Sequence, residues 1–136
     1  MPRIIGIDLG TTNSCVATLE RGAPTVLSSP EGSRTTPSVV AFLPSGSVVV
    51  GTPARRQAVT NPTRTIIGAK RLIGRKVNTQ DVQRFAASAP FRIVASPSGD
   101  AWIRLDERDV SPQEVSSYML ERMRRIAELA LGEPAT

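Results

Sequence analysis

Histidine is absent from the 136-residue chain, and cysteine occurs once, as Cys15. A zinc cluster is therefore not plausible, an intramolecular disulfide is excluded, and any metal must sit on oxygen. Aromatic residues are only 4% of the sequence, with Trp102 the single tryptophan, so no stacking platform for nucleic acid is evident. No stretch approaches the roughly 18 uninterrupted apolar residues that span a bilayer, and the amino terminus has no charged-then-apolar leader pattern. The expectation is a soluble cytoplasmic protein with no membrane partner. Acidic residues are in the minority, 12 against 17 Lys and Arg, for a formal charge of +5. Clustered basic residues release counterions from nucleic-acid phosphates. Here they are scattered, with pairs at Arg55-Arg56, Lys70-Arg71, Arg75-Lys76 and Arg124-Arg125, and a solvated basic surface is favoured over a nucleic-acid partner.

What is present is a hydrophobic fraction of 40%, enough for one ordinary core at this length and too little for two comfortable domains. Apolar runs at Arg3 to Leu9 and Ser14 to Leu19 predict a β-hairpin, and a further run follows the Gly22-Ala23-Pro24 break at Thr25 to Ser28. Ser38 to Phe42 and Val48 to Val50 flank the turn formers Pro44-Ser45-Gly46, so the first fifty residues read as antiparallel sheet. Thr52-Pro53 then predicts a helix N-cap with proline at the first helical position, the helix running to Asn61-Pro62. A second helix is expected over Thr65 to Ile73, ending at Gly74, and a short one over Thr79 to Ala86. Phe91 to Ala95 and Ala101 to Leu105 pair across Ser96-Pro97-Ser98-Gly99-Asp100 as a smaller hairpin.

The last element is the most strongly signalled. Ser111-Pro112-Gln113-Glu114 is a capping box with proline at N1, followed by helix as far as Gly132. Val115, Met119, Met123, Ile126 and Ala130 fall on its core face, with Glu121, Arg122, Arg125 and Glu128 on the wet side. The methionines read as packing, not as ligands.

Chemistry concentrates in the first hairpin, where Gly10-Thr11-Thr12-Asn13 stands in place of an ordinary two-residue turn. Gly10 is expected to take the positive φ that points successive N–H groups into one concavity, a nest that binds anions without formal charge. Thr11 and Thr12 add hydroxyl donors. Asp8 would repel phosphate by itself, so it makes most sense with a hydrated divalent cation bridging the two. The plain alternative is a turn in which Gly10 reverses the chain, the threonines fill it and Asp8 caps it. Neither a Gly-Lys-Ser/Thr P-loop nor a Gly-x-Gly-x-x-Gly fingerprint occurs, which leaves the hairpin type of phosphate loop. Cys15, beside the turn, reads as a buried strand residue, since no adjacent basic group is visible to activate it.

The segment from Ile4 to Val16, with Ile7-Asp8-Leu9-Gly10-Thr11-Thr12-Asn13-Ser14 at its centre, is similar to the opening signature of the DnaK heat-shock chaperone family. Glu31-Gly32 with Arg34-Thr35-Thr36-Pro37-Ser38, Arg56 to Pro62, Lys70-Arg71-Leu72-Ile73-Gly74 and Leu131 to Thr136 resemble that family in the same order, so the similarity covers essentially the whole chain. Sugar kinases and bacterial actin homologues share the first hairpin but are not expected to share the later segments. The resemblance implies an α/β protein of the actin-like (ribonuclease H-like) ATPase fold, one lobe only, with a mixed sheet from β-hairpins and packed helices. Residues 1–50 would form the phosphate-turn sheet, 51–110 helices and a small hairpin subdomain, and 111–132 the long helix.

The same resemblance implies ATP or ADP with Mg2+ as cofactors. Asp8 would lie near the magnesium through water, with Gly10, Thr11, Thr12 and Asn13 around the phosphates. Lys70 would be the catalytic group, reaching the γ-phosphate to orient the attacking water and neutralise charge; Arg71 is a second candidate for the cleft. Without the resemblance, Lys70 is one of 17 basic residues and reads as solvent-exposed. Arg34 to Ser38 either line the cleft or, through Pro37, force an extended entry to the next strand.

A chaperone coupling ATP hydrolysis to the binding and release of unfolded polypeptides is implied, with a J-domain co-chaperone and a nucleotide-exchange factor as partners. In the family the nucleotide lies between two lobes, and this chain is expected to supply most of one. Weak or absent hydrolysis by the 136 residues follows, because base and ribose contacts are lost and positioning alone is worth about 7–11 kcal/mol. An unpaired sheet edge and exposed apolar surface predict aggregation or dimer formation. Two competing readings are a non-catalytic interaction lobe, binding an exchange factor or a complementary half, and a basic nucleic-acid-binding protein.

Overall fold

Alternation along the first strands decides what faces the core. The computed structural model describes residues 3–106 and 108–135, so Thr136, the end of the last resembling segment, lies outside the described residues. In β1 (Ile5–Leu9), Ile5, Ile7 and Leu9 turn inward while Gly6 and Asp8 face out, as the two-residue period of a pleated strand requires. The antiparallel β2 (Asn13–Glu20) buries Ser14, Val16 and Thr18 on its inner side. Along its other edge β2 carries β3 (Ala23–Val26), where Pro24 is tolerated, and the two-residue β4 (Thr36–Pro37).

A second sheet, in the order β6-β5-β7, contains β5 (Val39–Phe42), β6 (Val48–Val50) and β7 (Thr65–Ile67). The strands of the first fifty residues are thus shared between two sheets. Helix α1 (Thr52–Thr60) covers Val39 and Ala41 of β5 with its buried Ala54. Its N-cap is Gly51 at φ 84°, not Thr52 as expected; the left-handed glycine reverses the chain one residue earlier, and Thr52 becomes the first helical residue.

The helix expected over Thr65 to Ile73 does not form. Thr65–Ile67 pairs antiparallel with β5 and buries Thr65 and Ile66, and the left-handed Gly68 then breaks the chain before a 3-10 turn at Ala69–Arg71. The β-branched run Thr-Ile-Ile gains more on a free sheet edge than in a helix, where its stiff side chains crowd the preceding turn. Helix α2 (Gln80–Ser88) follows, then the third sheet of β8 (Arg92–Ala95), β9 (Ala101–Arg104) and β10 (Asp109–Val110). All pairings between these strands are antiparallel; among the described residues, the one parallel contact is an isolated bridge between Arg3 and Ala135.

Helix α3 (Pro112–Leu131) joins the layers. It starts as expected, the Ser111 hydroxyl accepting the Glu114 N–H at 3.1 Å. The Glu114 carboxylate does not close the box; it takes Arg108 at 2.8 Å instead. Val115, Met119, Met123, Ile126 and Ala127 are buried, but Ala130 is exposed, since Ala127 and Leu131 carry the core face through the last turn. The buried helix face joins Val16, Val40, Ile66, Leu72 and Ile103 in one apolar cluster that reaches all three sheets. Among the described residues, no helix is long and apolar enough to cross a membrane.

Candidate phosphate-binding site

The β1–β2 turn is held by residues distant in sequence. Gly10 does not take the expected positive φ. A glycine is needed there for another reason: a Cβ would run into the Asn13 carbonyl oxygen. The turn is a close backbone approach, not a left-handed reversal.

Its carbonyls are engaged by the surrounding fold. The Lys70 ammonium, delivered by the 3-10 turn after Gly68, donates to the Leu9 carbonyl at 2.7 Å. Ser38, placed between β4 and β5, donates its hydroxyl to the Gly10 carbonyl at 2.8 Å and its N–H to the Thr12 carbonyl at 2.8 Å. Ser38 was singled out in sequence only as part of the Arg34 to Ser38 segment; nothing in one-dimensional spacing pointed to it as the brace. The loop before β4 is in turn tied to α3 by Glu31 and Arg122, 3.4 Å apart. The Glu31 carboxyl is held below the usual carboxylate range by its own backbone N–H and the Ser29 hydroxyl, with the Arg122 charge adding to them.

The donors of the turn are treated oppositely. Among the described residues, no hydrogen bond takes the N–H groups of Gly10, Thr11 or Thr12, and none uses the Thr11 or Thr12 hydroxyls or the Asn13 side chain. The Asp8 carboxylate is exposed on the outer face of β1 and likewise has no partner there. Lys70 is thus brought to the turn, while Asp8 stands one residue before the Leu9 carbonyl on the outward face of β1. Arg71 is not brought to the turn: its guanidinium lies 5.6 Å from the centroid of the Phe85 ring. That places it in a separate groove with Arg75, Asp81 and Arg84. Cys15, paired in register with Asp8, is half-buried in β2.

Beside the turn, a crevice between Gly10, Ser38, Ala69, Lys70 and Met119 has a free volume of only about 10 Å³, about that of one water. No group of three or more metal-ligating side chains occurs among the described residues. A lone outward carboxylate suits magnesium, which keeps several waters and draws its remaining ligands from phosphate oxygens.

An antiparallel hairpin whose tight turn offers unbonded N–H groups and hydroxyls, with a lysine on one of its carbonyls, packed on sheets and a long helix, suits one lobe of the actin-like ATPase fold. The family model for the Hsp70 protein matches residues 4–136, and the chain belongs to the Hsp70 family. That family comprises ATP-binding heat-shock chaperones, and the matched region falls in their ATPase domain.

Proposed function

We propose that this chain is the phosphate-gripping lobe of a DnaK-type chaperone, acting in the cytoplasm. Asp8, Gly10, Thr11, Thr12, Asn13 and Lys70 would gather around a magnesium nucleotide. The observation that carries the reading is the polarity of the turn: the carbonyls of Leu9, Gly10 and Thr12 are engaged by Lys70 and Ser38, while the N–H groups of Gly10, Thr11 and Thr12 are free. A turn that served only to reverse the chain would have no use for that asymmetry, whereas an anion requires it.

Each residue has a role that follows from its chemistry. The free N–H groups and the threonine hydroxyls bind and orient phosphate oxygens without adding mobile charge. Lys70 leaves its Leu9 carbonyl, or shares it, to neutralise charge on the terminal phosphate and hold the attacking water. Asp8 accepts from waters of the metal, which when bound supplies positive charge that offsets the phosphates. Arg71 would join only by giving up its stack on Phe85. In this reading ATP hydrolysis is coupled to the binding and release of unfolded polypeptides, with a J-domain co-chaperone and a nucleotide-exchange factor as partners.

Thermal melts of the 136-residue chain test this. Millimolar Mg-ATP is expected to raise the midpoint, because a ligand that binds only the native state stabilises it. Lys70→Ala removes a charged hydrogen-bond donor worth about 1.5–3 kcal/mol, a tenfold or greater loss of affinity. Equal melts with and without Mg-ATP overturn the reading. Turnover by the 136 residues is expected to be slow or undetectable in a coupled assay.

A second reading, an interaction lobe, is favoured by the apolar groove between Ile4, Gly6, Ala17, Leu19 and Pro24 on the first sheet, where Ile4 is 80% and Leu19 66% exposed. In that reading the groove takes an exchange factor or a complementary half, and exposed apolar surface of this kind also predicts self-association that Leu19→Glu weakens, read by light scattering.

A further inference from the structure

Ser38 meets the phosphate turn at both ends of Gly10–Thr12 and lies 28 residues from Gly10 in sequence. A hydroxyl has one proton to donate. The Ser38 proton goes to the Gly10 carbonyl, which can only accept, so in the 2.8 Å contact between the Ser14 and Ser38 hydroxyls Ser14 must be the donor. The result is a one-way chain from the Ser14 hydroxyl through the Ser38 hydroxyl to the Gly10 carbonyl. Ser14 is buried at 1% exposure, so water does not compete at its origin, and successive bonds of this kind polarise one another.

The peptide unit carries the consequence. The Gly10 carbonyl and the Thr11 N–H belong to one planar trans amide and point in opposite directions. Holding the carbonyl toward Ser38 aims the Thr11 N–H away from it, to the open side of the turn. The Ser38 N–H fixes the Thr12 carbonyl in the same way, so the segment cannot roll as a unit.

We infer that Ser38 is a positioning residue that aims the Thr11 N–H at phosphate through the Ser14–Ser38–Gly10 hydroxyl chain. Resting on the phosphate-binding reading above, it adds a residue that touches no ligand.

The test is amide NMR of the 136-residue chain titrated with Mg-ATP and with magnesium pyrophosphate. In the wild-type chain the Gly10, Thr11 and Thr12 amide signals move on addition of either probe. In Ser38→Ala the Thr11 signal starts from a different position and loses its response. Affinity falls about tenfold, the upper end of one ordinary hydrogen bond, while amides of β9 and β10 are unchanged. Ser38→Thr keeps the hydroxyl and stays close to the wild-type affinity. If Ser38→Ala folds poorly, Ser38→Thr against Ser38→Val makes the same comparison, since the two side chains share a shape and differ in the hydroxyl. A wild-type chain whose turn amides ignore both probes removes the phosphate reading itself. A responsive wild type with an equally responsive Ser38→Ala, or equal affinities for the Thr and Val variants, overturns the role of Ser38 alone.

Discussion

The turn between β1 and β2 and the turn between β8 and β9 both reverse antiparallel strands, and they dispose of their polar groups in opposite ways. In the Ser96 to Asp100 turn most demands are met from within or from Lys76 and Val77 of the adjoining segment. The Ser96 N–H donates to the Asp100 carbonyl, the Gly99 N–H to the Ser96 carbonyl, and the Asp100 N–H to the Ser96 hydroxyl. Lys76 spans the Ser98 carbonyl and the Asp100 carboxylate, the latter at 2.7 Å. The Gly10 to Asn13 turn instead has its acceptors engaged from afar and its donors left open. The β8–β9 turn is bonded within itself and to Lys76 and Val77; the β1–β2 turn has its carbonyls engaged from afar and its N–H groups open.

Substitutions at the two glycines should break the symmetry most sharply. Gly10→Ala drives a Cβ into the Asn13 carbonyl and is expected to cost roughly 1–3 kcal/mol and to abolish the Mg-ATP response in urea or thermal melts. Gly99→Ala meets no atom within 4 Å but must hold φ near +87°, a cost of about 1–2 kcal/mol. It should leave the nucleotide response intact. If Gly99→Ala silenced the response and Gly10→Ala did not, the assignment of roles to the two turns would be wrong.

A smaller effect separates them by pH. The Lys76 and Ser98 hydrogen bonds, with the Lys76 charge, hold the Asp100 carboxyl below the usual aspartate range. A depressed folded value means that this contribution is fully present above the ordinary aspartate pKa of about 3.9 and is lost as pH falls through the folded value. Protection of the Gly99 amide, its exchange rate relative to the intrinsic rate at the same pH, should therefore fall at acid pH in the wild type. In Asp100→Asn that protection should be lower already at neutrality and lose its acid dependence. The pair is solvent-exposed, so the change is expected to stay local.

Much of this was legible in sequence. Two short apolar runs around a turn placed the β1–β2 hairpin, and the Ser111 to Glu114 pattern placed the start of α3, because both depend on residues close together in the chain. Thr65 to Ile67 was misread as helix because its fate depended on the free edge of β5, more than twenty residues earlier. The three-and-four spacing puts Ala130 inward, but the core face runs through Ala127 and Leu131 and leaves Ala130 exposed. Gly10 was identified as essential for the wrong reason: the composition of the turn suggested a positive φ, and the constraint turned out to be the Asn13 carbonyl.

By itself the sequence determined the composition of the turn and, through the strand period, the outward face of Asp8. Those are local properties of a few successive residues. Which carbonyls of the turn are engaged was decided by tertiary structure, because their donors lie 28 and 61 residues away at Ser38 and Lys70. Hydrogen bonds across such separations form only where the packing of three sheets against α3 brings the groups within reach. That packing left the turn with free donors on one side.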